Sequence, residues 1–546
     1  MYNIFFNNMS ELIKFNQEGG SLKKKWTTLS HNGVVFPPEY KKHSIPVVYE
    51  GIDINLETDQ EELATLYAKY IETDYIKNRV FNNNFWRDWK LLLGKDHIIQ
   101  SLDKCDFRKI YDYLIEQKEI KKEEKTKNKK QNKEDEEKYK YAIVDGKKQP
   151  VGNFRIEPPG IFIGRGCNPK LGLVKRRILP EDISINIGSE AKIPNPLQGH
   201  EWKEVISDQY VEWLASWKDD ITGKMKYVWL GAHSDLKAKS DIQKFDLARK
   251  LKRKIKRIRE VNEENLDNND PVLRQIATAM VFIDNFSLRV GNEKSEDEAD
   301  TVGVTSLRVE HIKLEPNNKI TLDFLGKDSV RYNRTLTVIP YVYKNIGEFI
   351  KGKTDTDNIF ELINSNDINK YLQSFMKNLT AKVFRTYNAS SLFQKELKKI
   401  SNKYDNYQED DKVNILLDEF NKANAKVALL CNHQKNINKS QNKQLERINQ
   451  QIKKARLELR RAKNSSRVSQ EKIVKVQDKI KKLISKKELK IQLKNVSLGT
   501  SKINYIDPRI TVSFMMKHNL PVDKIFSATL QEKFKWAFEV DPDFRF

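Results

Sequence analysis

Five short stretches carry side chains that could do chemistry: FSLRVGNEK (286–294), LDFLGKDSVRY (322–332), LTAKVFRTYNAS (379–390), ALLCNHQK (428–435) and LGTSKINYIDPRIT (498–511). Between them they offer guanidinium, ammonium, imidazole and phenol groups. Taken singly, each has an ordinary reading. Arg289 closing an apolar helix reads as a surface cap, Lys327 as a turn residue, and His433 as an imidazole held by the negative end of a helix. Nothing marks Tyr505 among the 20 tyrosines. A sixth string, GEFIKGKT (347–354), satisfies the phosphate-loop pattern G-x-x-x-x-G-K-[ST]. It fails on context. Phe349 and Ile350 continue a helical stripe from Ile346, and Asp355 and Asp357 would repel a triphosphate. An ATP-driven enzyme is not expected.

In order along the chain, the five stretches resemble the eukaryotic-type DNA topoisomerase IB family. Other segments carry the same likeness: KWTTLSHNGVVFPPEY (25–40), NNFWRDW (83–89), KCDF (104–107), NFRIEPPGIFIGRG (153–166), VKRRILPEDI (174–183), GHEWKEV (199–205), EADTVGVTSLRVEH (298–311) and DPRITVSF (507–514). The resemblance implies catalytic roles for Arg289, Lys327, Arg385, His433 and Tyr505. It implies DNA-binding or supporting roles for Arg165, Asp328, Lys382 and Asn504. Departures fall at Ile163, where the family has Arg, at Cys167-Asn168, and in NINKS (436–440) after the histidine.

The implied reaction is a transesterification. Tyr505 attacks a DNA phosphodiester, forming a 3′-phosphotyrosyl link and freeing a 5′-hydroxyl. The duplex rotates, relaxing supercoils of either sign, and the hydroxyl re-attacks. These residue types suit that role: guanidinium forks bind non-bridging phosphate oxygens bidentately, with His433 as a further donor. Lys327 protonates the leaving oxygen. Nearby cations favour phenolate at Tyr505. The set needs no metal and no nucleotide, so no cofactor is expected.

The elements must bring His433 and Tyr505, 72 residues apart, to one phosphate. Between them, Leu445, Ile448, Ile452, Ala455, Leu459 and Ala462 recur at spacings of three and four, as do Ile473, Val476, Ile480 and Leu483. Asn464-Ser465-Ser466 interrupts them. This predicts two heptad helices folded into an antiparallel coiled-coil hairpin, each reaching out and back by roughly 37 Å. No Gly or Pro occurs from Lys353 to Leu498. Alternation predicts strands over 209–217 and 225–230. Ile320, Leu322 and Phe324 begin a hairpin that turns at Gly326–Ser329 and returns through Val330 and Tyr332. Helices are predicted over 241–259, through Ile368, Leu372, Phe375 and Leu379, and through Leu416, Phe420, Ala423, Val427 and Leu430.

The expected fold class is α+β and multidomain: a bilobed DNA clamp with a mixed α/β cap, a mainly helical tyrosine-recombinase-like catalytic domain and a coiled-coil linker. The boundaries read as a short extension (1–24), cap lobe (25–235), catalytic core (236–433), linker (434–491) and a C-terminal domain bearing the nucleophile (492–546).

Charge agrees with a polyanion partner. The 546 residues carry 99 Lys+Arg against 76 Asp+Glu, a net charge of +23. Residues 434–491 hold 19 Lys/Arg and 5 Asp/Glu, so most of the excess sits there. A mixed run from Lys118 to Lys138 reads as a solvated helix or excursion. No membrane span is expected, nor a secretory or Arg-rich mitochondrial leader, the first Arg being Arg79. Cys105, Cys167 and Cys431 are too scattered for a disulfide framework or structural zinc. The expected partner is double-stranded DNA, gripped by a monomer without membrane contact, in a nucleus or a viral replication compartment. Two alternatives remain: a tyrosine site-specific recombinase, which shares the Arg/Lys/His/Tyr chemistry, and a non-catalytic architectural DNA-binding protein.

Overall fold

The computed structural model describes residues 24–127, 136–292, 298–405, 407, 412–434, 439–464, 470–492 and 494–546. Several sequence expectations lie outside them: the extension up to Lys23, the middle of the charged run, the Ser465-Ser466 interruption, and most of NINKS. The chain is mixed α/β, with fifteen α-helices and several small sheets among the described residues. It divides into two compact units, residues 1–240 with 295–300, and residues 241–294 with 301–546.

The first unit is built from short strands around two apolar clusters. One gathers Trp26, Leu29, Ile183, Ile185, Leu214 and Trp217. Beside it lies a four-stranded sheet in the order Glu204–Ile206, Ser184–Asn186, Trp213–Lys218, Met225–Trp229, parallel only in its first pair. The strand expected over 209–217 thus starts only at Trp213. Gln209 and Val211 instead use their backbone carbonyls to hold Lys25 and Trp26. The other cluster packs Phe81, Phe85, Trp89 and Leu93, one stripe of the helix Arg79–Leu93 at spacings of four, against Tyr67 and Phe107.

The second unit has one large core. The long helix Asp235–Glu264 buries Phe245, Ala248, Leu251, Ile255 and Ile258 and turns its basic side chains outward. Helix α1 (Pro271–Asn285) is capped by the Asp270 side chain and buried from Gln275 to Asp284. A three-stranded antiparallel sheet follows: β1 (Ile312–Glu315), β2 (Lys319–Gly326) and β3 (Val330–Thr337). Ile320, Leu322 and Phe324 all face the core. In the GEFIKGKT string, Gly347 lies inside the helix Pro340–Ile350 and the Lys353 ammonium pairs with Glu361 at 3.0 Å. No phosphate loop forms there. The helix expected through Leu379 ends at Phe375.

Helices α2 (Ala381–Tyr404) and α3 (Lys412–Leu430) pack together, Phe393 meeting Phe420 edge to face with ring centres 5.2 Å apart. Next come α4 (Lys439–Lys463) and α5 (Gln470–Gln492). Ala455 and Leu459 of α4 pack with Val476, Ile480, Leu483 and Ile484 of α5. Lys479 reaches Glu458, and Lys490 reaches Gln444, so the two helices run antiparallel. Short helices α6 (Leu498–Asn504) and α7 (Pro508–Lys517) then return the chain to the core, where Ile506, Ile510 and Phe514 are buried.

Candidate active site

Arg289 follows α1 on a loop segment held by the neighbouring stretch 303–305. Val304 N–H donates to the Arg289 carbonyl at 2.9 Å and Thr305 N–H to the Val290 carbonyl at 2.7 Å. Their contact is close enough to require glycine: a Cβ on Gly303 would stand 2.4 Å from the Gly291 Cα.

Arg385 projects from the first turns of α2 and is only 4% exposed. Its Nη1 donates to the Ser287 carbonyl, and its Nη2 to the Cys431 carbonyl at 2.9 Å. Ser287 aims that carbonyl from a left-handed backbone, φ +54°. Asn388, one turn along α2, donates to the Asp284 carbonyl and the Ser287 hydroxyl.

His433 sits just past α3. Its N–H donates to the Ala428 carbonyl at 2.8 Å, and its carbonyl accepts from Ser497 N–H at 2.9 Å. The segment is also fastened to the hairpin: Asn432 and Gln434 side chains both donate to the Arg331 carbonyl on β3. The imidazole is buried, with Nδ1 2.7 Å from the Ser501 hydroxyl.

Tyr505 ends α6. Its ring centre lies 5.1 Å from that of His433 and 5.1 Å from the Arg385 guanidinium carbon. The charges of Arg289 and Arg385 both act on the phenol. Lys327 is exposed at the β2–β3 turn and lines one recess with Arg289 and Arg385. Four side chains therefore surround the phenol or line the recess beside it.

Electrostatics follow from that packing. Burial raises the Tyr505 phenol, but the Arg385 and Arg289 charges oppose it and leave it below its ordinary value of 10.0. Burial and the same two cations push His433 down to about 3, so its ring is neutral at physiological pH. Burial lifts the Cys431 thiol, which stays protonated. Of the side chains gathered at Tyr505, Arg385 Nε and His433 Nε2 are buried and lack a partner among the described residues. An unmet buried polar group costs about 1–3 kcal/mol. An anionic oxygen at the phenol would meet both.

The supporting residues are dispersed. Asp328, beside Lys327, is exposed in a left-handed conformation (φ +66°). Asn504 is exposed, its amide donating to the Thr500 carbonyl at 3.2 Å. Lys382 is exposed on the first turn of α2, where its charge acts on Lys244. Arg165 is exposed in the first unit, between the strands Gly160–Ile161 and Val174–Lys175. Among the described residues no group of three or more His, Cys, Asp or Glu is arranged to hold a metal.

Three family models match in order: eukaryotic DNA topoisomerase I, DNA binding fragment (residues 24–230), its catalytic core (233–466), and the C-terminal topoisomerase domain (477–546). DNA topoisomerase 1 of Homo sapiens is 40% identical over 96% of this chain and 72% of its own length. The chain belongs to the eukaryotic DNA topoisomerase I family. DNA topoisomerase 1 of Caenorhabditis elegans is 42% identical over 94% of this chain and 67% of its own. DNA topoisomerase 1 beta of Arabidopsis thaliana is 45% identical over 96% of this chain, which spans 60% of that relative.

Within this chain, sequence reading missed Ser501, Ser287, Asn388 and the Cys431 carbonyl. Ser501 had a usable signal, lying one helical turn before Tyr505. Ser287 had none, because a left-handed serine leaves no trace in composition or spacing.

Proposed function

We propose that the chain is a type IB DNA topoisomerase. The Tyr505 phenol, favoured as phenolate by the two guanidinium charges, gives its proton to solvent water, and its oxygen attacks the phosphorus of a DNA backbone phosphate. The P–O5′ bond breaks as Lys327 donates a proton to the leaving oxygen, and a 3′-phosphotyrosyl link remains. Arg289, Arg385 and His433 donate to the non-bridging oxygens, where negative charge builds. After rotation the 5′-hydroxyl attacks, its proton returns to Lys327, and Tyr505 leaves as a phenolate that regains its proton from solvent water. One ester replaces another, so closure needs no fuel.

The observation that carries this reading is the convergence on Tyr505 of two guanidinium groups and a neutral buried imidazole. The relatives' shared name, DNA topoisomerase 1, supports it. The catalytic set is Arg289, Lys327, Arg385, His433 and Tyr505, with Arg165, Asp328, Lys382 and Asn504 as DNA contacts. In this reading residues 25–235 form a cap lobe and 236–433 the core domain of a monomeric clamp on duplex DNA. Residues 434–491 form a coiled-coil linker and 492–546 the C-terminal domain. The linker's basic helices run along downstream phosphates. The setting is the nucleus; no described helix is long and apolar enough to cross a membrane.

The deciding experiment is relaxation of positively and of negatively supercoiled plasmid in EDTA without ATP. Denaturant trapping then maps the covalent end. Relaxation of both signs with protein on the 3′ end is expected. A requirement for ATP or Mg²⁺, or attachment at the 5′ end, would overturn the reading.

A further inference from the structure

Ser501 joins the nucleophile to the imidazole through two different groups. Its carbonyl accepts the N–H of Tyr505 and of Ile506, each at 3.0 Å. Its hydroxyl makes one hydrogen bond among the described residues, 2.7 Å from His433 Nδ1, and the residue is fully buried. The backbone reinforces the link, since His433 C=O accepts from Ser497 N–H at the start of the same helix. Among the described residues no other hydrogen bond is made to Nδ1.

A serine hydroxyl can donate to Nδ1 or accept from it, and the choice decides which ring nitrogen carries the proton. The far nitrogen settles it. His433 Nε2 is buried without a partner among the described residues, and its ring faces Tyr505, with the Arg289 and Arg385 charges close by. An anionic phosphate oxygen delivered there by the two guanidinium groups needs a donor. A bare Nε2 lone pair would repel it. We propose that Ser501 is a positioning residue that donates its hydroxyl proton to His433 Nδ1 and so fixes the tautomer whose Nε2–H faces the reacting phosphate.

This rests on the type IB reading and goes beyond it, assigning the proton within the site. A neutral imidazole so fixed is a hydrogen-bond donor throughout the reaction, never the base that activates Tyr505. The phenol then has to lose its proton by another route under the influence of the arginine charges. Ser501 also ties the ring's orientation to the helix bearing the nucleophile, so the two approach the phosphate together.

The test uses the full chain with ¹⁵N only in its 8 histidines, His433 being assigned from His433→Asn. In the parent protein Nδ1 should resonate as an unprotonated acceptor and Nε2 as a protonated nitrogen. In Ser501→Ala both should move toward a mixture of tautomers. Single-turnover adduct formation on a suicide duplex should fall about ten- to a hundred-fold in that variant, as when a partner that fixes a histidine tautomer is lost. Duplex affinity should hold. Ser501→Cys, similar in volume but a poor donor, should behave alike. On the His433→Asn background, Ser501→Ala should add no further loss.

A protonated Nδ1 in the parent protein, an unimpaired Ser501→Ala, or an equal loss on the His433→Asn background would each overturn the proposal. If the parent protein forms no adduct, the type IB reading fails instead, while the ring resonances still decide the tautomer.

Discussion

Arg385 lies with its guanidinium carbon 5.1 Å from the centre of the Tyr505 ring while two of its nitrogens are already held by the carbonyls of Ser287 and Cys431. The fork is thus aimed before any substrate arrives, and the unpartnered Nε remains to be used. Lysine keeps the charge but has one donor nitrogen, which cannot span both carbonyls and a phosphate oxygen. Arg385→Lys should slow single-turnover cleavage roughly a hundred- to a thousand-fold, the cost of losing an aimed donor at a developing oxyanion. Duplex binding should stay within a few-fold. Wild-type cleavage by the lysine variant would show that charge alone suffices.

Tyr505→Phe removes the oxygen proposed to attack and keeps the ring that packs on His433 and under Arg385. It should yield no covalent adduct and no relaxation, yet bind duplex DNA with near-parental affinity and steep salt dependence. Gel-shift titration beside denaturant trapping checks both halves. A trapped adduct in this variant would move the nucleophile elsewhere.

His433 makes stability depend on pH. Its folded pKa is about 3 against 6.5 for the free group. The unfolded chain therefore takes up a proton below about 6.5 that the folded chain refuses. The stability tied to His433 is full above that pH and is lost as pH falls toward 3. Urea denaturation from pH 8 to 4 should show a decline that His433→Gln makes shallower. An unchanged slope would place the acid sensitivity in other groups.

Periodic features of this fold were legible in the sequence. Ile448, Ile452, Ala455 and Ala462 are buried on α4 among its described side chains and fall on the apolar stripe, because a helix with one apolar neighbour can bury only one seam. Ile320, Leu322 and Phe324 likewise face inward because alternation fixes which face of a hairpin is covered. The candidate site was legible only as a resemblance. Its assembly depends on backbone carbonyls of Ser287, Cys431 and Arg331, and any residue type supplies a carbonyl. The strand expected from Gln209 failed for a related reason: the backbone there is spent on Lys25 and Trp26.

Gly303 gives a test of how tightly Arg289 must be held. Its backbone is extended (φ −132°, ψ −171°), a conformation alanine adopts freely. The obstacle is space. A Cβ would meet Gly291 Cα at 2.4 Å, Gly291 N at 2.5 Å and the Arg289 carbonyl oxygen at 2.8 Å, all backbone atoms. The two segments would have to part, stretching the bonds from Val304 and Thr305 that fix the Arg289 segment. Gly303→Ala should cost about 1–3 kcal/mol, as overpacking does. It should also lower cleavage more than ten-fold by displacing an aimed donor. Gly352→Ala is the control. There φ is +78° and nothing lies within 4 Å, so the cost is backbone strain of roughly 1 kcal/mol, outside the five stretches proposed to act. Chemical denaturation and single-turnover cleavage of both variants separate the effects. Lost stability with normal cleavage is expected only at residue 352; the same result at residue 303 would mean that Arg289 reaches its position without this contact.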